Sequence, residues 1–402
     1  MKATSVSKTM TNPDRVASID IVRALTMVLM IFVNDLWSLS NIPEWLGHVA
    51  RGVDGIGLAD IVFPAFLFIV GLSLPHAVDA RRKKGDTDWQ IVQHVLVRTA
   101  ILLLMGVFLV NGETLNATAM SMPRHVWNTI CCLCFILVSN VFPLSANKNV
   151  VLGLRIAALA VLVFMAFIYR GGADENIQRF APQWWGILGL IGWAYLVSGV
   201  ATIFARNRIP VVASVWAFFA LLSMLYHAKL VPGFLSFIPE PILGGTLTGL
   251  TLGGVLTTVI FQYYRQRQDN IRMTLVFLGM AAGWIVLSVI TRPYWGLAKL
   301  GATPAWLFLC SAFTLIALTT IYWIADVWGK AKWFDIVKPA GTATLLCYLI
   351  PYFAYAFMRT AGLHLPDFLL SGGIGLLKSL AFALLCVWIT AGLTRAGVKL
   401  KI

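Results

Sequence analysis

The sequence predicts an all-α, polytopic integral membrane helical bundle of about twelve (ten to twelve) helices, and three observations lead there. Of 402 residues, 59% are hydrophobic and only 12% are charged, whereas a soluble domain carries about 25% charged residues. The mean hydropathy is +0.82. Apolar stretches near or above the length needed to cross roughly 30 Å of hydrocarbon recur along the whole chain. Closed β-barrels use short alternating segments instead, so the spans are helical.

Taken in order, the first apolar segment runs over 18–38 and the second over 56–76. The third, 91–111, follows the basic run Arg81-Arg82-Lys83-Lys84. Segments at 125–144 and 149–169 flank Lys148, and 183–204 comes next. Then come 209–228, behind Arg206 and Arg208, and 241–263, which carries the run Gly244-Gly245, Gly249, Gly253-Gly254. Small residues on one helix face point to close helix packing, with room for a ligand as the second reading. The last four are 272–292, 304–327, 337–358 and 371–394. No linker or low-complexity segment divides them, so 1–402 reads as a single membrane domain with residues 1–17 as a cytoplasmic N-terminal tail. No cleavage-site pattern follows the first apolar run, which therefore reads as a retained anchor.

Orientation follows from the lysines and arginines. With the N-terminus inside, nineteen of the 31 fall in inner loops and eight in outer ones, and Arg23, Arg98, Arg155 and Lys378 fall within or at the ends of apolar runs. The expected topology is N-in, C-in. The net charge of +14 is then a basic inner face next to membrane lipid rather than a nucleic-acid surface. The six cysteines all lie in predicted spans, and Cys131, Cys132 and Cys134 have no nearby histidine or carboxylate, so they read as packed thiols and no metal site is expected.

The most informative feature is a row of polar residues around the first two segments. Asp20 and Arg23 open the first, Asn34 and Asp35 close it, His48 follows in a loop, and Asp60 enters the second. Each charge at membrane depth costs roughly 2.5–3.5 kcal/mol, so such a concentration suggests a site. Taken singly, each has a plainer reading: an ion pair for Asp20 and Arg23, a helix cap for Asn34 and Asp35, a solvated loop for His48. Taken together, His48 as base or nucleophile, Asp60 as its orienting acid and Asn34 as amide donor to an oxyanion make an acyl-transfer set.

These residues also resemble a known family. Ser18-Ile-Asp20-x-x-Arg23, Met30-x-Phe32-Val-Asn34, His48, and Asp54-Gly55 leading to Asp60-x-Val-Phe63-Pro64 look like the membrane core of the heparan-α-glucosaminide N-acetyltransferase family. The likeness is to its bacterial members, which lack the lumenal N-terminal domain. Thr303-Pro304-Ala-Trp306, Asp326-Val and Lys338-Pro339-Ala-Gly341-Thr342 continue it. Ala24 stands where the family pattern has glycine, and the interval from His48 to Asp60 is two residues longer than in that pattern.

The resemblance implies a transmembrane acetyltransferase that takes an acetyl group from cytoplasmic acetyl-CoA, as acyl donor, to a glucosamine-type acceptor on the far side, forming an amide or an ester. It places the family's active histidine on His48 and its functional asparagine on Asn34, and with Asp60 from the reading above these are the expected catalytic residues. Asp35, Asp54, Trp45 and Trp306 are expected at the sugar acceptor, and Arg23, Lys338 and Thr342 at acetyl-CoA. The expected location is the bacterial inner membrane, with the His48 loop facing the exterior. A homodimer is an assembly to test. Two rivals are weighed: a secondary transporter of a sugar or related solute, and a non-catalytic envelope scaffold. The concentration of polar residues in two segments, without an internal repeat, favours the enzyme.

Overall fold

The computed structural model describes residues 16–143 and 145–400. The tail at 1–15, with Lys2, Lys8 and Arg15 of the charge argument, lies outside the described residues, as does Lys401. Twelve helices of 16 residues or more occur among the described residues, each overlapping one predicted segment. They are α1 (Ala17–Asp35), α2 (Leu58–Lys83), α3 (Asp88–Glu113), α4 (Arg124–Ser139), α5 (Lys148–Ile168) and α6 (Ile187–Ala205). The remainder are α7 (Ile209–His227), α8 (Thr246–Arg265), α9 (Asn270–Trp295), α10 (Pro304–Tyr322), α11 (Thr344–Thr360) and α12 (Gly372–Arg395). No strand forms among the described residues; isolated bridges tie loops at four places.

Nine of these helices are long and apolar enough to cross a membrane, and the protein is an integral membrane protein. The other three of the twelve expected spans fall outside that measure of length and hydropathy. Two of the others are short: α4 has 16 residues and α11 has 17. The third, α8, has 20 residues but is diluted by threonine and glycine. Its composition follows from its position, because every residue from Thr246 to Phe261 is buried by protein. A helix that never meets lipid has no need of an apolar surface. Its threonines bond to carbonyl oxygens instead, Thr251 to Leu247, Thr257 to Gly253 and Thr258 to Leu72. By contrast α5 and α9 sit at the rim with large apolar side chains such as Phe164, Phe167, Leu275 and Val289 exposed, the arrangement that hydrocarbon solvent favours.

The glycine run in α8 is a packing device. A Cβ on Gly254 would stand 1.9 Å from the Phe68 carbonyl oxygen of α2, and one on Gly71 would stand 1.8 Å from the Thr251 carbonyl oxygen of α8. The two helices thus meet backbone to backbone at a reciprocal pair of glycines. Ala24 plays a related part on α1: it is fully buried, and the facing Gly341 leaves room for its methyl.

At one end of the bundle, Asp326 caps the α1 N-terminus through the Ala17 and Ser18 amides, and Arg82 bonds Asp88 and the Ile203 carbonyl. The chain past α12 joins this end through Lys399 and Asn140. The opposite end carries the α1–α2 loop, the α9–α10 loop and the start of α12, and it holds the site described next.

Replacing Gly254 by Ala is expected to destabilise the protein by about 1–3 kcal/mol, the usual cost of overpacking. The exposed Gly279 has no atom within 4 Å of an added Cβ, and its alanine variant should melt like the native protein. Thermal unfolding of the two variants in detergent checks this.

Candidate active site

The loop between α1 and α2 is built around one buried carboxylate. Asp60 sits in the first turn of α2 and is 1% exposed. Its Oδ2 accepts the backbone N–H groups of Val49 and Gly57, both at 3.0 Å. Its Oδ1 lies 2.7 Å from His48 Nδ1. With Nδ1–H donating to that oxygen, Nε2 keeps its lone pair and faces away from the carboxylate. Of the expected catalytic residues, the structure brings His48 and Asp60 together.

Two further features hold the pair in register. The indole N–H of Trp306 donates to the Asp60 carbonyl oxygen at 3.0 Å. Gly57 is forced by close approach: a Cβ there would lie 2.0 Å from the Gly47 carbonyl oxygen. Only glycine lets the strand of loop bearing His48 lie against the α2 N-terminus.

Sequence reading missed Lys299, in the α9–α10 loop. Its Nζ lies 3.3 Å from His48 Nδ1, 3.5 Å from Nε2 and 4.0 Å from Asp60 Oδ1. Burial pushes the Lys299 amine below the ordinary lysine range, against the pull of Asp60. A loop lysine some 250 positions from the histidine gives no local signal. The same loop is fastened by Asp54, whose carboxylate accepts from Leu297 N–H at 2.7 Å and from Arg292 Nε at 3.1 and 3.0 Å. The Leu297 hydrogen bond, helped by Arg292, keeps the Asp54 carboxyl below the usual carboxylate range.

Asn34 lies elsewhere at the same end. It lines a cavity of about 1190 Å³ enclosed by α1, α3, α4, α11 and α12, and His48 is not among the residues that line it. Its wall includes Trp37, Glu113, Arg124, Tyr352, Tyr355, Arg359 and Lys378. Asp35, one residue on, is buried there in a satisfied network. It accepts from Tyr355 Oη at 2.8 Å, Lys378 Nζ at 2.6 Å and Ser379 Oγ at 2.6 Å. A paired charge of this kind is the form in which ions persist at depth. Lys378 was legible as a charge in an apolar run, but its partner was not.

The remaining expected site residues take these places. Trp45 is 64% exposed beside the His48 loop with its ring available, whereas Trp306 is 1% exposed and presents no free face. Asp35 and Asp54 spend their oxygens on internal partners. At the far end, Arg23 bonds Asp20, Ser73 and the Gly341 carbonyl oxygen. The Thr342 hydroxyl bonds backbone at Lys338 and Pro339, and Lys338 stays exposed with Asp335 at 3.8 Å. The six cysteines are buried thiols, and no cluster of metal-ligating residues occurs among the described residues.

Fold and site together define an integral membrane protein carrying an oriented histidine at one end of the bundle. The chain belongs to the family described as "Domain of unknown function (DUF5009)", whose model matches residues 15–219. That segment contains Asn34, His48 and Asp60 but not Lys299 or Lys378. The chain is also similar to heparan-alpha-glucosaminide N-acetyltransferase of Homo sapiens, 28% identical over 103 residues, which is 25% of this chain and 14% of that protein. The Mus musculus protein of the same name is 29% identical over 102 residues, 24% of this chain and 14% of the relative. The matched region therefore spans about a seventh of the relatives' length.

Because burial lowers its pKa, Lys299 is expected to react with acetic anhydride at half-maximal rate at a lower pH than the side chain of a free lysine peptide in the same solution. Peptide mass spectrometry across a pH series checks this, and identical midpoints would contradict it.

Proposed function

We propose that this protein is a transmembrane acyltransferase that moves an acetyl group from cytoplasmic acetyl-CoA to an amino sugar of glucosamine type on the extracytoplasmic side of the bacterial inner membrane. The observation that carries this reading is the His48–Asp60 pair, a half-exposed imidazole anchored at Nδ1 by a carboxylate that two backbone amides already hold. The relatives' printed name, an N-acetyltransferase, supports it, as does a nineteen-to-eight charge asymmetry that favours an outer position for this end.

In the proposed reaction His48 Nε2 takes the proton of the acceptor amine or hydroxyl as the acceptor attacks the acyl carbon; the carbon–sulfur bond breaks, and the CoA thiolate leaves and takes up that proton. In an alternative order of the same chemistry, Nε2 bonds the acyl carbon first as the CoA thiolate leaves, and the acceptor then attacks that carbon, breaking the carbon–nitrogen bond and giving its proton to the thiolate. Either route passes through a positive imidazole, which the adjacent Asp60 carboxylate stabilises. The Lys299 amine beside the ring is placed to meet negative charge developing on the acyl oxygen. Asn34 supplies an amide donor to the neighbouring cavity, where an acceptor sugar would be held. Trp45 offers a ring face for the same sugar.

Acetyl-CoA supplies the activated acyl group. Its phosphates need cations at the inner end, and the exposed Lys330, Lys332 and Lys338 fit that need. Arg23 fits it less well, being committed to Asp20, Ser73 and Gly341. That is a change from the expectation that Arg23 contacts the donor directly.

The test is transfer of radiolabelled acetyl from acetyl-CoA to glucosamine by purified protein in proteoliposomes. His48→Ala is expected to lower the rate by about 10²–10⁴-fold, the range for a general base. Transfer that survives the substitution would overturn the site, and sugar uptake without any transfer would favour a transporter. Gly57→Ala alters no reacting group. It is expected to cost about 10²-fold through misplacement of His48, measured in the same assay.

A further inference from the structure

The Asn34 cavity has an apolar neighbour. Against it lies a second hollow, of about 580 Å³, between α4, α11 and α12. Its lining is apolar throughout, including Ile350, Ala354, Phe357, Leu385, Ile389 and Leu393. The two hollows share Met358 and Phe382 in their linings, so they adjoin at those side chains. From Phe382 to Leu393 the groove follows α12 for about 16 Å by helical rise. It runs along the helix axes, as a lipid chain does.

Charge changes abruptly where the hollows meet. Arg359 follows Met358, lines the polar cavity, and has no ion pair among the described residues. The other cations of that cavity have partners: Lys378 has Asp35 at 2.6 Å, and Arg124 has Glu113 at 3.9 Å. An exposed guanidinium on the wall of the polar cavity, next in sequence to a residue that lines both hollows, is suited to a phosphate, which it can bind through two parallel N–H donors.

We infer that the acceptor is a membrane-anchored amphiphile, a sugar joined through phosphate to a lipid tail. The tail lies in the α4–α11–α12 groove, the phosphate meets Arg359, and the sugar enters the cavity beside Asn34. This rests on the acyltransferase reading for the acceptor role, but the binding itself does not. A water-soluble sugar would need only the vestibule and would leave the groove and Arg359 without a task.

The experiment measures binding in detergent by intrinsic tryptophan fluorescence, independent of any acetyl transfer. The probes are prenyl-phosphate-linked glucosamine and its soluble counterpart, glucosamine 1-phosphate. Native protein is expected to bind the prenyl form at least about tenfold more tightly, from the apolar area buried. Ala354→Trp, which fills the groove, should abolish that preference and leave glucosamine 1-phosphate binding unchanged. Arg359→Gln should weaken both phosphate probes while sparing free glucosamine. Leu96→Trp, on exposed α3 surface, should behave as native. Equal affinity for the two probes, or a preference that survives Ala354→Trp, would overturn the proposal and show the groove to hold bulk membrane lipid only. An Ala354→Trp protein that also loses glucosamine 1-phosphate is misfolded; Ile389→Trp then tests the groove one turn further along, by the same two criteria. Binding preference without acetyl transfer would leave this inference standing and remove the acyltransferase reading. Transfer to free glucosamine with no preference would do the reverse.

Discussion

One buried carboxylate organises the end of this protein that carries His48. Asp60 brings a negative charge to the mouth of an apolar bundle, and in that setting an unsatisfied oxygen is costly. The chain satisfies it with the Val49 and Gly57 amides and with His48, all from the segment before α2. The loop geometry follows from that requirement. Gly57 must be glycine so that the loop can lie close. Trp306 must reach across from α10 to fix the first turn of α2. The α9–α10 loop is then tied down through Asp54, which positions Lys299 beside the imidazole. The reactive group of the proposed chemistry is thus a by-product of solving a desolvation problem.

A second buried carboxylate does the same for the neighbouring cavity. Asp35 draws together Tyr355, Lys378 and Ser379 from two helices that are distant in sequence. That network sets the wall against which Asn34 stands. Helix α1 therefore separates two polar assemblies at one end of the bundle, one holding His48 and one holding Asn34. In the proposed reaction the acyl group and its acceptor meet across the tip of this helix.

Much of this was legible in the sequence. Helical class, membrane character and all twelve long helices follow from hydropathy alone, and the pairing of His48 with Asp60 followed from a histidine near a helix mouth that also carries a carboxylate. Which of these helices face lipid did not follow, because hydropathy cannot tell a lipid-facing helix from one such as α8 that is buried by its neighbours. Lys299, Tyr355 and Lys378 were hidden for another reason: each acts through a tertiary contact with a residue more than 200 positions away. Trp306 was misplaced because an aromatic ring suits both sugar stacking and core packing, and only burial separates the two. The glycine run in α8 was read correctly as packing, since small residues four apart admit few other uses.

The central claim is that His48 and Asp60 act as one unit, and a double-mutant cycle on acetyl transfer addresses it most directly. His48→Ala, Asp60→Asn and the double variant would be compared in the same vesicles, with melting temperatures confirming that each folds. If the pair is a unit, the double variant is no slower than His48→Ala alone, because the carboxylate has nothing left to orient. Losses that add in free energy would mean that the two residues act independently, and would contradict the account.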